Sequence, residues 1–461
     1  MKTKLWAASS RPTQPDAVAM QTLAAAVERI RAFPTDRYFG SVAAVRGALI
    51  EVEGLLGAAR IGSRIVIECE SGPVDVEVTG LDRQSAYCMP YKDPQGISTG
   101  SRADLVQGQS MFRPTDQWLG RVVDGLGRPL DGKGPLPSGA DNRPFKAAPP
   151  PATQRNRVGH RLETGVRALD VFAPLCRGQR LGLFAGSGVG KSTLLSMLAR
   201  WVETDVAVIG LIGERGREVQ EFIEDDLGSE GLARSVVVVA TSDSPALMRR
   251  QAAWTTLAIA EHFRDTGRDV MCLMDSVTRF AMAQREIGLA NGEPPATKGY
   301  TPTVFAELPR LLERAGPGGP EQGSITGLFS VLVDGDDHDE PIADAVRGIL
   351  DGHIVMSRKI GERGRFPAID ILKSVSRMLP QCHEEEENRL RLAALNHLST
   401  FGDMEELVRL GAYEAGADVG VDEAIRLAPA IENLLKQTKN DRGTATHAFS
   451  RLAELMTESP Q

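Results

Sequence analysis

Residues 180–193 read RLGLFAGSGVGKST, a short apolar run followed by a glycine-rich turn, a lysine and two hydroxyl residues. Glycines allow successive backbone N–H groups to turn toward one anion, and the helix that follows would present its positive end to the same anion. The lysine could reach the β- and γ-phosphates, and the first hydroxyl, Ser192, could bind Mg²⁺. The pattern therefore predicts a nucleoside triphosphate site formed by Gly186, Ser187, Gly188, Val189, Gly190, Lys191, Ser192 and Thr193.

One position departs from the strict phosphate-loop pattern G-x-x-x-x-G-K-[ST]. The pattern asks for glycine at residue 185, where this chain has Ala185. We expect a small residue to suffice there. The alternative is a chance glycine-rich turn, but an apolar strand candidate precedes the loop and the helix-compatible run LLSMLARWV follows it. This is the context that a phosphate-binding loop requires.

Hydrolysis of a phosphoanhydride also needs a metal ion, a group that positions the attacking water and a cation for the charge of the transition state. Asp275 ends the apolar run DVMCLMD and is a candidate to hold Mg²⁺ through its waters, with a helix cap as the alternative. Glu214 follows the run VIGLIG and could polarise water, while Arg215 beside it could hold the developing charge. Taken alone, the pattern does not decide this role for Glu214.

Three patterns of apolar residues occur along the rest of the chain. Short alternating runs punctuated by glycine predict a small antiparallel barrel, and strand candidates that alternate with helical stretches predict a parallel sheet. Strand signals end near residue 380 and helical runs replace them. The expected fold is therefore multidomain: an N-terminal amphipathic helix region (1–38), a β-barrel (39–115), a linker rich in glycine and proline (116–153), a nucleotide-binding α/β domain with a mostly parallel sheet (154–380) and a C-terminal helical domain (381–461).

The composition argues against several classes of protein. The chain has 461 residues and a formal net charge of −8, which weighs weakly against nucleic acid as the main ligand. No apolar stretch approaches the roughly 20 residues that cross a bilayer, and the N-terminus lacks the apolar core of a signal peptide, so we expect a cytoplasmic protein. Its five scattered cysteines argue against a disulfide framework or a zinc site. Cys382, His383 and the following glutamates could form a metal cluster, but carboxylates that complement a helix dipole are the simpler interpretation.

Longer motifs carry a resemblance to a known family. They include LETGVRALDVFAPLCRGQRLGLFAGSGVGKSTLL, GERGREV, LMDSVTRFAMAQREIGLANGEPPATKGYTPTVFAELPRLLERAG, VDGDDHDEPIADAVRGILDGHIVMSR and FPAIDILKSVSR. Over roughly residues 39–430 the chain resembles the rotary-ATPase superfamily, whose central domain is RecA-like, and most closely its type III export branch. Within that branch it is most similar to flagellar export ATPases, and the ATPases of virulence injectisomes are very similar to these.

The resemblance implies a role for each residue that matches a family motif. Without the resemblance, an ordinary surface ion pair remains the alternative for Arg279. An ordinary core aromatic remains the alternative for Phe366 and Tyr413. The implied roles are phosphate-loop lysine for Lys191, catalytic carboxylate for Glu214, metal-shell aspartate for Asp275, a γ-phosphate contact for Arg279, an arginine finger for Arg377 and adenine contacts for Phe366 and Tyr413.

The resemblance also implies the cofactors and partners. An arginine finger that reaches the neighbouring subunit's site is worth on the order of 10³ to 10⁵ in rate, so a lone subunit would be nearly idle. We expect ATP, Mg²⁺ and a homohexamer that promotes export of flagellar subunits. Implied partners are a regulatory protein at the N-terminal helix of residues 16–33, a central coiled-coil stalk, export-gate proteins and chaperone–cargo complexes at the C-terminal domain, with peripheral association at the inner face of the membrane and no direct nucleic acid.

The residues alone are also compatible with other functions. A virulence injectisome ATPase shares the hydrolytic chemistry. A nucleotide-binding regulatory subunit of a rotary ATPase typically loses the catalytic carboxylate, so the presence of Glu214 with Lys191 disfavours it. A hexameric nucleic-acid translocase pairs a barrel with the same core, but residues 39–115 lack basic strands studded with aromatic residues. The N-terminal helix could also pack on its own domain rather than on a partner.

Overall fold

The computed structural model describes residues 37–55, 57–106, 111–333 and 340–457. The helix predicted at residues 16–33 lies outside the described residues. Within them the chain forms a barrel, a central α/β domain and a C-terminal helical region, which confirms the predicted fold class. No helix among the described residues is both long and apolar enough to span a membrane.

The barrel is closed and antiparallel, in the order β1-β2-β5-β4-β3-β6. Its strands alternate as the sequence pattern predicts: in the fourth strand Val74, Val76 and Val78 are fully buried, while the residues between them are half-buried. The barrel strands are β1 (Phe39–Arg46), β2 (Leu49–Glu53), β3 (Arg64–Ile67), β4 (Val74–Leu81), β5 (Ser85–Pro90) and β6 (Arg102–Leu105).

Residues 116–153, predicted as a linker, contribute more than a connection. β8 (Arg121–Asp124) pairs in parallel with a strand of the central sheet, and the short strands β7 (Met111–Phe112) and β9 (Arg143–Pro144) pair with each other. The glycines and prolines around β8 hide it in the sequence, since four residues give too few positions for a strand pattern to be read. The barrel is therefore joined to the central domain through a strand that belongs to that domain's sheet.

The central sheet has nine strands in the order β17-β16-β10-β15-β13-β11-β12-β8, with β14 pairing β15 from outside this path. Strands β10, β15, β13, β11, β12 and β8 run parallel, so their carboxyl ends meet at one edge. The remaining strands are β10 (Arg180–Ala185), β11 (Val206–Glu214), β12 (Ser235–Thr241), β13 (Val270–Asp275), β14 (Gly316–Pro317), β15 (Ser324–Leu332), β16 (Gly352–Met356) and β17 (Ile369–Ser376).

Helices cover both faces of the sheet. One apolar core includes Leu194 and the C-terminal residues Leu427 and Phe449, and the other includes Leu257 and Phe280. The helices of the central domain are α1 (Arg167–Phe172), α2 (Lys191–Trp201), α3 (Gly216–Glu221), α4 (Gly228–Ala233), α5 (Ala246–Asp265), α6 (Val277–Ala290), α7 (Pro302–Leu312), α8 (Pro341–Ile349) and α9 (Arg358–Glu362), with a π-helical turn at Phe222–Leu227.

The C-terminal region contains α10 (Glu385–Arg409), α11 (Val419–Leu434) and α12 (Ala445–Thr457). Glu384 and Glu387 form a capping box at the start of α10, in which each side chain accepts a backbone N–H. No group of three or more His, Cys, Asp or Glu residues that could hold a metal ion occurs in the described part of the chain. The capping box shows that the start of the glutamate run serves the helix terminus, as the simpler interpretation predicts.

Several polar contacts join the barrel to the central domain, and two of them reach one helical face. Glu77 on β4 pairs with Arg250 on α5 at 2.5 Å, and the Thr79 hydroxyl donates to the Asn291 side-chain oxygen at 2.9 Å. Both partners on the central domain lie on or just after the helices of one face. The barrel thus rests on the face of the sheet opposite the C-terminal helices.

Candidate active site

The glycine-rich turn connects β10 to α2, as the sequence pattern predicts. Gly188 has φ of 78° and Gly190 has φ of 89°, a backbone region that residues with a Cβ rarely adopt. Gly190 is the N-cap of α2, so the free N–H groups of the first helical turn begin directly after the turn. Ser187 accepts a hydrogen bond at its carbonyl from Arg358 of α9 at 3.0 Å. The turn therefore presents backbone donors and a helix terminus to one point.

Ala185 occupies the last position of β10 rather than the turn itself. It pairs in register with Leu332 of β15 and Met356 of β16, and it is 1 % exposed. Its φ is not positive, unlike the φ of Gly188 and Gly190. The position therefore requires a small buried residue and no glycine conformation, which explains why alanine can replace the glycine of the strict pattern.

Lys191 lies between two carboxylates at the carboxyl ends of neighbouring strands. Its Nζ atom donates to Asp275 Oδ1 at 2.5 Å and lies 3.6 Å from Glu214 Oε1. The Ser330 hydroxyl on β15 donates to the same Asp275 oxygen at 2.7 Å, which fixes the carboxylate. The structure thus brings together the three residues that the sequence assigned to phosphate binding, water activation and the metal shell.

The electrostatics of this cluster are unbalanced. Burial raises the pKa of Glu214 above its ordinary range, and the charge of Asp275 raises it further, while Lys191 opposes the shift. One cation thus serves two carboxylates in a partly dehydrated site. A carboxyl group with a raised pKa beside a lysine is typical of a functional cluster.

Arg279 packs against β11. Its side chain lies 2.9 Å from the position that a Cβ on Gly213 would take, and Gly213 itself has φ of 73°. The buried Nε atom of Arg279 has no hydrogen-bond partner in the protein. A guanidinium group with an unsatisfied buried donor next to Glu214 is suited to an anionic ligand.

A cavity of 560 Å³ adjoins the glycine-rich turn. Phe366 lines it, and its ring lies 3.8 Å from the position that a Cβ on Gly190 would take. The connection between α11 and α12 also lines it, through Lys436, Gln437, Thr438, Lys439 and Asp441. A cavity with an aromatic wall beside a phosphate-binding turn matches the dimensions and chemistry of a nucleobase and ribose.

Sequence reasoning missed the contribution of residues 436–441 to this cavity. Gln437 is 6 % exposed, and its backbone N–H donates to the Phe366 carbonyl at 2.7 Å. Its side-chain oxygen accepts from the backbone of Arg167 at 2.7 Å, and its side-chain nitrogen donates to Gly165 at 2.9 Å. In the sequence the segment KQTKNDRG shows a loop between helices, with no signal for the long-range contacts.

The structure places the remaining predicted residues elsewhere. Tyr413 does not line the cavity: its hydroxyl donates to Asp422 Oδ1 at 3.0 Å in the connection between α10 and α11. The Arg215 side chain is 78 % exposed and pairs with Glu218 on α3 at 3.4 Å. Arg377 is exposed directly after β17, the edge strand of the sheet, and its backbone N–H donates to the Asp351 carbonyl at 3.0 Å.

The donors near the turn fit Mg²⁺. Ser192 supplies an exposed hydroxyl in the first turn of α2, and Asp275 supplies a carboxylate at the end of β13. Mg²⁺ prefers hard oxygen ligands, keeps several waters and takes one or two carboxylates together with substrate phosphates. Ser192 and Asp275 therefore fit a Mg²⁺ ion that takes few ligands from the protein and the rest from water and a bound phosphate.

Two family models match the chain. One, described as the nucleotide-binding domain of the ATP synthase alpha/beta family, matches residues 165–376. The other, described as the C-terminal domain of the T3SS EscN ATPase, matches residues 383–454. The first range contains the glycine-rich turn, the carboxylate cluster and Phe366, and the second contains most of α10 to α12.

Individual proteins extend the match over nearly the whole chain. The flagellum-specific ATP synthase of Caulobacter vibrioides is 57 % identical over 443 residues, which cover 95 % of this chain and 99 % of that protein. The structure of the assembled ATPase EscN from the enteropathogenic E. coli type III secretion system superposes with a TM-score of 0.84 at 39 % identity, covering 91 % of this chain and 100 % of that one. EscN in complex with its central stalk EscO gives a TM-score of 0.83 at 40 % identity, with the same coverage.

Proposed function

Because this chain belongs to the ATP synthase alpha/beta family, in the branch of flagellum-specific ATP synthases and type III secretion ATPases, we propose that it hydrolyses ATP to drive flagellar type III protein export. The observation that carries the proposal is the position of Lys191 between Asp275 and Glu214, directly after the glycine-rich turn. A protein that only binds nucleotide needs the turn and the lysine, but it does not need the second carboxylate.

Binding starts at the turn. The backbone N–H groups of residues 186–190 and the start of α2 surround the phosphates, and the adenine ring lies against Phe366 in the adjoining cavity. Lys191 exchanges its carboxylate partners for β- and γ-phosphate oxygens. Ser192 and Asp275 would hold Mg²⁺, which would neutralise charge on those phosphates. The release of Lys191 from its ion pairs leaves both carboxylates free to face the metal and the attacking water.

Glu214 then positions the attacking water in line with the γ-phosphate. Its partly buried position keeps bulk water from competing, and its raised pKa makes it a stronger base than an exposed glutamate. Arg279, whose side chain packs against Gly213, would supply a guanidinium group to the γ-phosphate. Arg215, exposed at the start of α3, contributes to the charge of the site from the neighbouring surface.

The transition-state cation comes from a second copy of the chain. Arg377 is exposed after the edge strand β17, so it is available to a neighbouring subunit. One chain then supplies Glu214 to one interface and Arg377 to the other, and a closed ring completes a site at every interface. We propose a homohexamer. The EscN relative, which is described as assembled and as binding a central stalk, supports this arrangement.

The remaining partners follow from the family. A stalk protein enters the ring, a regulatory protein binds the N-terminal region, and export-gate proteins and chaperone–cargo complexes meet the C-terminal helices. The protein works in the cytoplasm, peripherally at the inner face of the membrane. The flagellar rather than the injectisome system is supported by identities of 57 % to the flagellum-specific ATP synthase of Caulobacter vibrioides and 45 % to the type 3 secretion system ATPase of Xanthomonas euvesicatoria.

The test mixes two inactive variants, Glu214→Gln and Arg377→Ala. Each alone should lose most turnover, since an arginine finger contributes on the order of 10³ to 10⁵ in rate. Mixed together, they should regain ATP hydrolysis that rises with protein concentration, because some interfaces combine an intact Glu214 with an intact Arg377. Nucleotide binding by Arg377→Ala should stay close to that of the unmodified protein.

Matched controls lie beside each residue. Glu221→Gln removes an exposed carboxylate seven residues after Glu214, and Lys373→Ala removes an exposed cation on β17, the strand that precedes Arg377. Both should hydrolyse ATP normally. If the mixed variants form rings but regain no turnover, Arg377 does not act on a neighbouring site. If the unmodified protein hydrolyses no ATP, the proposed function itself is wrong.

A further inference from the structure

Ser330 is a fully buried hydroxyl residue near the carboxyl end of β15. This strand lies between β10, which leads into the glycine-rich turn, and β13, which ends at Asp275. Ser330 pairs in register with Leu183 of β10, and Leu328, two positions earlier, belongs to the same apolar core as Leu194 of α2. Because alternate residues of a strand share one face, Ser330 faces the side of the sheet on which α2 packs.

The Asp275 carboxylate has two hydrogen-bond donors within the described residues, and both use the same oxygen. Lys191 Nζ donates to Oδ1 at 2.5 Å, and the Ser330 hydroxyl donates to Oδ1 at 2.7 Å. The second oxygen, Oδ2, has no donor in this part of the chain. It is therefore the oxygen that Asp275 can offer to the shell of a metal ion.

The two donors differ in what nucleotide binding does to them. In the proposed reaction Lys191 exchanges its carboxylate partners for phosphate oxygens, so its hydrogen bond to Asp275 is lost. Ser330 has no such alternative partner, because its hydroxyl already donates to a buried carboxylate from the middle of a sheet. After Lys191 moves, Ser330 is the donor that remains on Asp275.

The end of β15 is held on both sides, which keeps Ser330 in place. The backbone N–H of Leu332 donates to the Thr278 hydroxyl on α6 at 2.9 Å. The backbone N–H of Val333 donates to the carbonyl of Ala185 at 3.2 Å, at the end of β10. The strand that carries Ser330 is thus fixed to the helix after Asp275 and to the strand before the glycine-rich turn.

Glu214 has no equivalent support. Lys191 Nζ lies 3.6 Å from its Oε1 atom, and no serine, threonine or tyrosine hydroxyl of the described residues donates to its carboxylate. When Lys191 moves to phosphate, Glu214 is therefore free to reorient toward the attacking water, whereas Asp275 keeps its orientation. The serine hydroxyl gives the two neighbouring carboxylates different roles.

We propose that Ser330 is a positioning residue for the metal site: its hydroxyl holds Oδ1 of Asp275 while Lys191 binds phosphate, which keeps Oδ2 available to Mg²⁺ and its waters. The proposal rests on the proposed function, because it assumes that Mg²⁺ binds with the nucleotide near Asp275. Removing a partner that orients a metal-binding side chain typically costs about 10- to 100-fold in metal affinity.

The experiment measures ADP binding to full-length Ser330→Ala by isothermal titration calorimetry over a range of Mg²⁺ concentrations. ADP is the probe because it is not turned over. Without Mg²⁺, the variant should bind ADP within about twofold of the unmodified protein, because the backbone donors of the glycine-rich turn are unchanged. The Mg²⁺ concentration that gives half of the metal-dependent gain in ADP affinity should rise about 10- to 100-fold.

Two control variants separate positioning from loss of packing. Ser330→Thr keeps a hydroxyl at this position and should restore the Mg²⁺ requirement of the unmodified protein. Ser235→Ala removes another fully buried serine hydroxyl, which donates to the Gly231 carbonyl at 2.7 Å at the start of β12, and should leave the Mg²⁺ requirement unchanged. If Ser330→Ala does not fold, Ser330→Cys supplies a weaker donor of similar shape and should raise the Mg²⁺ requirement in the same direction.

The outcomes separate this proposal from the proposed function. An unchanged Mg²⁺ requirement in Ser330→Ala overturns the role of Ser330. An equal loss of ADP affinity with and without Mg²⁺ also overturns it, because the damage would then extend to the whole nucleotide site. If the variant needs more Mg²⁺ to bind ADP but the unmodified protein hydrolyses no ATP, the proposed function is wrong and the role of Ser330 in metal binding is retained.

Discussion

Two buried ion-pair clusters in the central domain are built in opposite ways. At the carboxyl edge of the sheet, Lys191 has one carboxylate at 2.5 Å and a second at 3.6 Å. Behind α5, Arg314 is fully buried and donates to both oxygens of Glu261 at 2.8 and 2.7 Å. Arg314 also donates to the Phe145 carbonyl at 2.8 Å and lies over the Trp254 ring.

The difference separates function from structure. Arg314 and Glu261 meet in a bidentate geometry, which matches charge to charge and leaves no capacity for a ligand. Lys191 shares its charge between two carboxylates, and Glu214 has a raised pKa as a result of burial and the nearby Asp275. Lys191 can exchange its carboxylate partners for phosphate oxygens, because its ion pairs are incomplete. The bidentate pair of Arg314 and Glu261 stabilises the fold and has no free group for a ligand.

The largest effect is expected from a substitution that breaks the ion pair of Arg314 and Glu261. Arg314→Met should lower the free energy of unfolding by about 3 to 5 kcal/mol, because Glu261 is then left as an unpaired buried charge. Urea unfolding measures the loss. Arg310→Met, which removes an exposed partner of Glu307, is the control and should change stability by at most about 1 kcal/mol. Equal effects of the two variants would show that the Arg314 pair is not structural.

The next effect concerns the unbalanced cluster. Lys191→Ala should reduce ATP turnover by about 10² to 10³, as expected for the loss of one group that stabilises transition-state charge. Its effect on urea unfolding should be clearly smaller than that of Arg314→Met, because its removal also relieves the site of an incompletely paired charge. A variant that unfolds as easily as Arg314→Met would erase the distinction between the two clusters. Lys373→Ala, exposed on β17, serves as the control.

The third effect depends on pH. Burial raises the pKa of Glu214 from 4.5 to about 7, so the folded protein holds a proton that the unfolded chain has already released. The unmodified protein therefore loses stability as pH rises between these two values, and Glu214→Gln lacks this loss. The variant should become the more stable protein near neutral pH, by about 1.4 kcal/mol for each tenfold increase in proton affinity that folding gives Glu214. Urea unfolding of both proteins from acidic to neutral pH measures the difference, and a constant difference would contradict the raised pKa.

The smallest effect tests the edge of the functional cluster. Ala185→Gly restores the strict phosphate-loop pattern, but Ala185 lies in β10 and needs no glycine conformation. Turnover should therefore change by less than about twofold, while stability falls by about 0.5 to 1 kcal/mol from the added backbone freedom. Steady-state hydrolysis and thermal unfolding measure the two quantities. A large gain in turnover would show that the methyl group restricts the turn.

Local spacing explains what the sequence could predict. A glycine-rich turn between a strand and a helix placed Lys191, and the ends of apolar runs placed Glu214 and Asp275 at one edge of a parallel sheet. These residues depend on contacts that repeat in every parallel sheet. The barrel was equally accessible because buried and less buried residues alternate regularly in β2, β3 and β4.

Long-range contacts explain what it could not. Gln437 reaches Phe366 and Gly165 across more than seventy positions of sequence, and nothing in its own loop marks those partners. Arg314 follows an amphipathic helix and looks like a surface charge in LLERAG, although it is fully buried. Both residues depend on which elements meet in space, which single-chain patterns do not encode.

The strand β8 links the barrel to the sheet of the central domain. A load that enters the chain from the barrel arrives at the amino end of β8, whose four residues pair in parallel with β12. Arg121 at its start is clamped to Asp131 by two hydrogen bonds, at 2.7 and 3.0 Å. The ladder bonds would have to shear together rather than open one at a time. A force that reaches β8 would therefore be spread over the sheet of the central domain.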